Sequence, residues 1–239
     1  MADDDLGRAL GELAGTPGGS SLGRVADLAR SSMRAAGARS VATGRWVAEA
    51  VMDAAPHVPI RDLQTLRDHH GDLPQTQLAE ALIRSASRTT AGMGAAMGAV
   101  ATAHALFPPT WLAIPVELVA ETLAVVAVEM KLVAELHEVY ERPMRGSPAQ
   151  RGLVLARAWA ERRGIDVRVL AEPGAMGQIL GRTARREVTR LLQRRLARRG
   201  VGSLSMVAPF LVGAAAGATL NGKATRSLGE SVARNLAAR

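Results

Sequence analysis

The side chains that could perform acid–base chemistry in this sequence are few, and they are scattered. Glu117 and Glu121 are four residues apart, a spacing that places both carboxylates on one face of a helix. Glu135, His137 and Glu138 are close in sequence, but adjacent residues on a helix point in different directions. General acid–base catalysis needs such a group beside a partner in a cleft. The sequence identifies neither the partner nor the cleft, so we predict no catalytic residue.

The other histidines and the absence of cysteine argue against a metal or cofactor site. His69 and His70 lie beside a turn, and His104 falls in an apolar run where a hydrogen-bonded interior role is expected. Without cysteine there is no disulfide, thiolate ligand or cysteine nucleophile. The sequence has no phosphate-binding glycine loop, nucleophile elbow or zinc-binding helix motif. We predict no metal ligand and no cofactor. A helical active site would need a deep cleft lined by Glu117, Glu121 and either His104 or His137.

The elements that position these residues are predicted to be helices. Alanine, leucine and arginine, all strong helix formers, dominate the chain. Aromatic residues make up 3% and hydrophobic residues 48% of the 239 residues, so the core must be built from alanine, leucine, valine and methionine. Alternating runs of β-branched and aromatic residues, which indicate strands, are missing. We therefore predict an all-α fold, a compact multi-helix bundle with two Gly/Ala-rich apolar helical segments.

Glycine, proline and loop residues give the predicted boundaries. Gly37 and Gly44 weaken the second helix, and Gly71 is a predicted C-cap. We divide the chain into an N-terminal helical region, 1–73, and a helical domain, 74–239. The predicted helices cover 5–14, 21–54, 60–69, 74–106, 111–140, 149–163, 174–199, 204–220 and 223–238, with a short extended segment at 164–170.

Two stretches, 89–116 and 200–222, contain no Asp, Glu, Lys or Arg. Both are long enough to span a bilayer, but their alanine, glycine and proline content makes insertion marginal. Each stretch contains two glycines four residues apart, a small-xxx-small pattern that lets helix backbones approach closely. These glycines are Gly94 and Gly98 in the first stretch and Gly213 and Gly217 in the second. One interpretation is a helical hairpin that pairs within or upon a membrane. The other is a pair of tightly packed helices in the core of a soluble domain. The two coexist if the bundle docks peripherally.

Five arginines recur every four residues just before the second uncharged stretch. This arginine ridge consists of Arg182, Arg186, Arg190, Arg194 and Arg198. At an anionic cytoplasmic leaflet each such residue contributes about 1 kcal/mol to binding. Alternatively, the ridge is a solvated face whose arginines pair with acidic residues elsewhere. Nucleic-acid binding is a third interpretation, which has the charge but lacks stacking aromatic residues.

From residue 78 to 237 the chain resembles the EcsC family. The resemblance rests on the small-residue block 82–91, continued by the Gly/Ala-rich 92–100, on the proline-led block 112–118, and on the glycine-rich block 211–218. It implies an α-helical, membrane-associated bacterial protein, and it supplies no catalytic residues. Residues 1–75 have no counterpart in the family.

Together these patterns favour a non-enzymatic helical protein on the cytoplasmic face of the membrane. The acidic start of the chain lacks the features of an export signal, and the net charge of +8 suits an anionic membrane surface. The expected partner is that surface or a membrane-protein complex. The alternatives are a soluble interaction module or apolar-ligand carrier, and a nucleic-acid-binding protein. A homo-oligomer is compatible with the sequence.

Overall fold

A computed structural model describes residues 2–43, 45–105, 116–147, 150–152, 154–155 and 208–238. Most of these residues are α-helical, and they include a 3₁₀ turn, Ala55–His57. The main helices are α1 (Ala2–Gly15), α2 (Gly19–Thr43), α3 (Arg45–Ala54), α4 (Leu63–His70), α5 (Gln75–Ala105), α6 (Val116–Val139) and α7 (Ala208–Ala237). The all-α bundle predicted from the sequence is confirmed.

Helix α6 forms the centre of the bundle. From Ala120 to Val139 nearly every side chain is buried, which fits a helix that is apolar on all sides. Helices α1 to α4 contact α6, and so do α5 and α7. Both predicted regions, 1–73 and 74–239, thus contribute to one hydrophobic core. The boundary between them stays a prediction.

Helices α5 and α7 form the most extensive helix–helix contact in the described chain. They run antiparallel, because Gly94 faces Gly217 whereas Ile83, three turns earlier on α5, faces Gly229 on the later part of α7. The predicted break between 220 and 223 is wrong, since α7 is continuous through Asn221 and Gly222. The Asn-Gly pair is a turn signal, but here the packing of Gly222 against α5 overrides that local preference.

The first helices pack through close backbone contacts. In α1, Leu6, Leu10 and Leu13 are completely buried. A Cβ atom at Gly7 would lie 2.7 Å from the carbonyl oxygen of Asp53, so only glycine fits there without movement. Helix α2 is kinked at Gly37, whose φ of 81° and ψ of 158° are accessible essentially to glycine alone. Of the two predicted weak points in the 21–54 helix, Gly37 is confirmed, and Gly44 lies outside the described residues.

Helix α4 is defined by a cap at each end. The Asp62 side chain accepts a 2.8 Å hydrogen bond from the backbone N–H of Thr65, so the helix begins at Leu63 rather than at the predicted Ile60. Gly71 ends the helix in the left-handed conformation, with φ of 69°, which confirms the predicted C-cap. The predicted helix at 174–199 and the extended segment at 164–170 lie outside the described residues.

Candidate functional site

The two uncharged stretches meet at one end of the α5–α7 pair. A Cβ atom at Gly94 would lie 2.6 Å from the carbonyl carbon of Gly217, and one at Gly217 would lie 2.7 Å from the carbonyl carbon of Gly94. Both positions therefore exclude any side chain, and the two backbones touch. Gly98 lies one turn further along α5 and Gly213 one turn earlier on α7, but their surroundings are outside the described structure.

We call residues 89–105 of α5 and 208–222 of α7 the uncharged end, because they contain no Asp, Glu, Lys or Arg. Its exposed residues include Gly92 and Ala96 on α5, and Thr219 and Leu220 on α7. Leu220 is 40% exposed, and the other large hydrophobic side chain found exposed in the described chain is Val154, at 50%. The uncharged end thus presents small apolar residues and a leucine to solvent.

A buried polar network lies directly below the Gly94–Gly217 contact and joins three helices. The Thr90 hydroxyl donates to the Thr225 hydroxyl at 2.9 Å, and the Thr225 hydroxyl donates to Glu129 Oε1 at 2.8 Å. All three residues are completely buried. One turn closer to the Gly94–Gly217 contact, Asn221 Nδ2 donates to Glu121 Oε1 at 2.7 Å. Because buried polar groups are costly when unpaired, these bonds fix the register of α7 against α5 and α6.

A second polar cluster attaches the N-terminal helices to α6. Glu135, only 3% exposed, accepts hydrogen bonds from Arg61 Nε at 2.7 Å and Arg61 Nη2 at 2.9 Å. Lys131 Nζ donates to Glu135 and to the backbone oxygen of Pro59. The hydrogen bond to Glu135 raises the pKa of Arg61, whereas burial lowers the pKa of Lys131. These bonds attach residues 58–62, which connect the 3₁₀ turn to α4, to helix α6.

The acid–base candidates from the sequence are not brought into one cleft. Glu121 bonds to α7, while His137 Nδ1 lies 3.2 Å from the carbonyl oxygen of Arg142 at the other end of α6. His137 is sixteen positions after Glu121 on the same helix, about 24 Å along the axis. Side chains of Glu117 and His104 lie outside the described structure. Within the described residues no group of three or more acidic or histidine side chains could hold a metal ion.

Two titratable groups near α4 have shifted pKa values. Burial, with a smaller contribution from the charge of Arg61, lowers the pKa of His70. Burial and the negative charge of Asp62 raise the pKa of Glu138. Both shifts follow mainly from desolvation at a packed helix junction.

An open groove lies between α5 and α7 at the end away from the uncharged residues. Its volume is about 330 Å³, and it is wide open to solvent. Charged side chains such as Glu80, Arg226 and Arg234 line it beside Ile83 and Tyr140. A mixed, open groove of this kind does not enclose an apolar ligand.

Sequence reasoning missed several residues that build these sites. Thr90, Thr225 and Glu129 were not singled out together, although a carboxylate in an otherwise apolar helix indicates a buried polar partner. Gly7 and Gly11 have the same four-residue spacing as Gly94 and Gly98, and that spacing could have revealed the close packing of α1. The arginine ridge, Arg182, Arg186, Arg190, Arg194 and Arg198, lies outside the described residues, and so do its predicted pairings.

Comparison of the chain with protein-family models, with curated proteins and with solved structures found no match. The EcsC resemblance therefore stays a prediction. Helices in the described part of the chain include none that is both long and apolar enough to cross a bilayer.

Proposed function

We propose that this protein is a non-enzymatic helical protein that binds peripherally to the anionic cytoplasmic face of a membrane, where it acts as an accessory or interaction protein. In this proposal the uncharged end rests among the lipid headgroups, and the arginine ridge adds electrostatic attraction. The rest of the bundle serves as a rigid support for that end.

The observation that carries the proposal is the pairing of the two uncharged stretches through Gly94 and Gly217. Residues 89–105 and 208–222 are far apart in sequence, yet their helices lie side by side, so a single surface gathers the uncharged residues. Leu220, 40% exposed, contributes apolar area to that surface. Amphipathic surfaces that combine apolar side chains with nearby basic residues bind membrane interfaces.

Flotation of the full-length protein with vesicles tests this proposal. Vesicles of phosphatidylcholine alone are compared with vesicles that also contain phosphatidylglycerol, at low and at high salt. We expect flotation with the anionic vesicles that weakens as salt screens the attraction. The proposal fails if the protein ignores anionic vesicles at low salt as fully as neutral ones.

A matched pair of variants distinguishes membrane binding through the uncharged end from nonspecific adsorption through any exposed hydrophobic residue. Leu220→Asp places a charge on the uncharged end, whereas Val154→Asp places one at the other large hydrophobic residue that is exposed among the described residues, close to Gly152. Gly152 packs against the turn at Ala55 and Pro56 rather than against α7. We expect Leu220→Asp to reduce flotation strongly and Val154→Asp to leave it unchanged.

A further inference from the structure

The charged residues of α5 and α7 stop at the same level of the bundle. Arg88 is the last charged residue of α5, and Lys223 is the first charged residue of α7. A Cβ atom at Gly222 would lie 3.2 Å from the backbone oxygen of Ser87 and 3.1 Å from Cβ of Ala91. Because these contacts flank Arg88 on one helix and adjoin Lys223 on the other, the two cations lie at one height.

Both cations are exposed, and neither forms an ion pair with another described residue. The sequence gives the reason, since the residues four positions away are Arg84 and Gly92 for Arg88, and Thr219 and Ser227 for Lys223. The next basic residue along each helix, by contrast, does form an ion pair. Arg84 pairs with Glu80 at 3.5 Å, and Arg226 pairs with Glu230 at 3.0 Å.

Each cation lies at the base of an exposed stripe that continues into the uncharged end. On α5 the stripe runs from Arg88 through Gly92 to Ala96, and on α7 it runs from Lys223 back through Thr219. Lysine and arginine have long apolar stems that can extend along such a surface and carry the charge to a boundary between apolar and aqueous phases. We call Arg88 and Lys223, the two cations at the boundary of the uncharged end, the basic collar.

We propose that Arg88 and Lys223 bind the phosphate groups of anionic lipids when the uncharged end enters the headgroup layer. The inference rests on the proposed function and specifies which side chains contact the headgroups and at what depth. Charge complementarity selects the occupant, because unpaired cations at the edge of an uncharged surface match the anionic phosphate layer of a bilayer. A nucleic acid would also meet the cations but would gain nothing from the adjoining alanines, glycines and leucine.

Flotation with phosphatidylcholine vesicles that contain about 30% phosphatidylglycerol tests the collar in the full-length protein. A basic residue near an anionic surface strengthens binding about fivefold. We therefore expect R88Q/K223Q to lose about 25-fold in the partition coefficient. The matched control, R84Q/R226Q, removes the same charge from the same two helices but from paired residues one turn further from the uncharged end, and should lose less than about threefold.

The outcomes separate this inference from the proposed function. If the unmodified protein floats but the two double variants bind equally well, or equally poorly, the collar is wrong and membrane binding stands. If the unmodified protein does not float, both are wrong. Both side chains are exposed, so circular dichroism should show unchanged helix content; should R88Q/K223Q unfold, each single variant must still lose about fivefold. The inference would also be overturned if a short duplex DNA competed with the vesicles for the protein and R88Q/K223Q lost as much affinity for the DNA as for the vesicles.

Discussion

Replacing Gly94 by alanine is expected to force α5 and α7 apart. The new Cβ would lie 2.6 Å from the carbonyl carbon of Gly217 and 2.8 Å from Nδ2 of Asn221. Ordinary contacts of a Cβ atom begin at about 3.4 Å, so the backbones must separate by close to an ångström or the helices must tilt. Either movement also stretches the hydrogen bond between Asn221 and Glu121.

Overpacking of this kind costs about 1–3 kcal/mol, and the better helix propensity of alanine offsets up to about 1 kcal/mol of it. The control is Gly92→Ala, two residues earlier on the same helix. Gly92 is exposed and has nothing within 4 Å of a built Cβ, so only the propensity gain of about 1 kcal/mol applies.

Urea unfolding followed by circular dichroism measures both variants. We expect the midpoint to fall for Gly94→Ala and to rise for Gly92→Ala, a difference of about 1–4 kcal/mol in the free energy of unfolding. If Gly94→Ala stabilises the protein as much as Gly92→Ala does, the backbone contact with Gly217 is not formed and the reasoning is refuted.

Three further predictions concern the described core and caps. Gly71→Ala should cost about 1–2 kcal/mol because alanine is strained at a φ of 69°, and an unchanged urea midpoint would contradict the left-handed cap. Thr225→Val should cost about 1–3 kcal/mol, since it removes a donor from completely buried Glu129 and an acceptor from Thr90; a neutral effect would show that the network does not hold α7. The backbone hydrogen bond from Thr65 holds the pKa of Asp62 below its ordinary value, so the stability this carboxylate provides is present above the ordinary pKa and is lost as pH falls through the lowered pKa. Asp62→Ala should therefore be less stable than the unmodified protein at pH 7, and the difference should shrink as pH falls through the lowered pKa; a difference that stays constant down to the acid limit of folding would refute the cap.

The parts of the fold that depend on residues close together in the sequence were predictable. Helix-forming composition predicted the all-α bundle, and Gly71 gave its cap because a left-handed residue is a local requirement. The break expected at Asn221 and Gly222 is absent, since contacts with α5 and α6 stabilise the helix there. Local propensity carries no information about such distant partners.

The candidate site was predictable in part. The glycine spacing indicated close packing in each uncharged stretch, but the register that sets Gly94 against Gly217 depends on three-dimensional contacts. The partner of Glu135 could not be read from the sequence either, because Arg61 lies 74 positions away. Arg84 and Arg88 are both exposed, and what distinguishes them is the ion pair between Arg84 and Glu80, which the four-residue spacing could have indicated.

The claim that the uncharged end enters the headgroup layer can be measured directly by single-site labelling. The chain has no cysteine, so Leu220→Cys and Val154→Cys each provide one attachment point for a polarity-sensitive fluorophore. On addition of anionic vesicles we predict a blue-shifted, brighter emission from the label at position 220 and an unchanged emission from the label at position 154. An aqueous spectrum at position 220, while the protein floats with the same vesicles, would contradict the account.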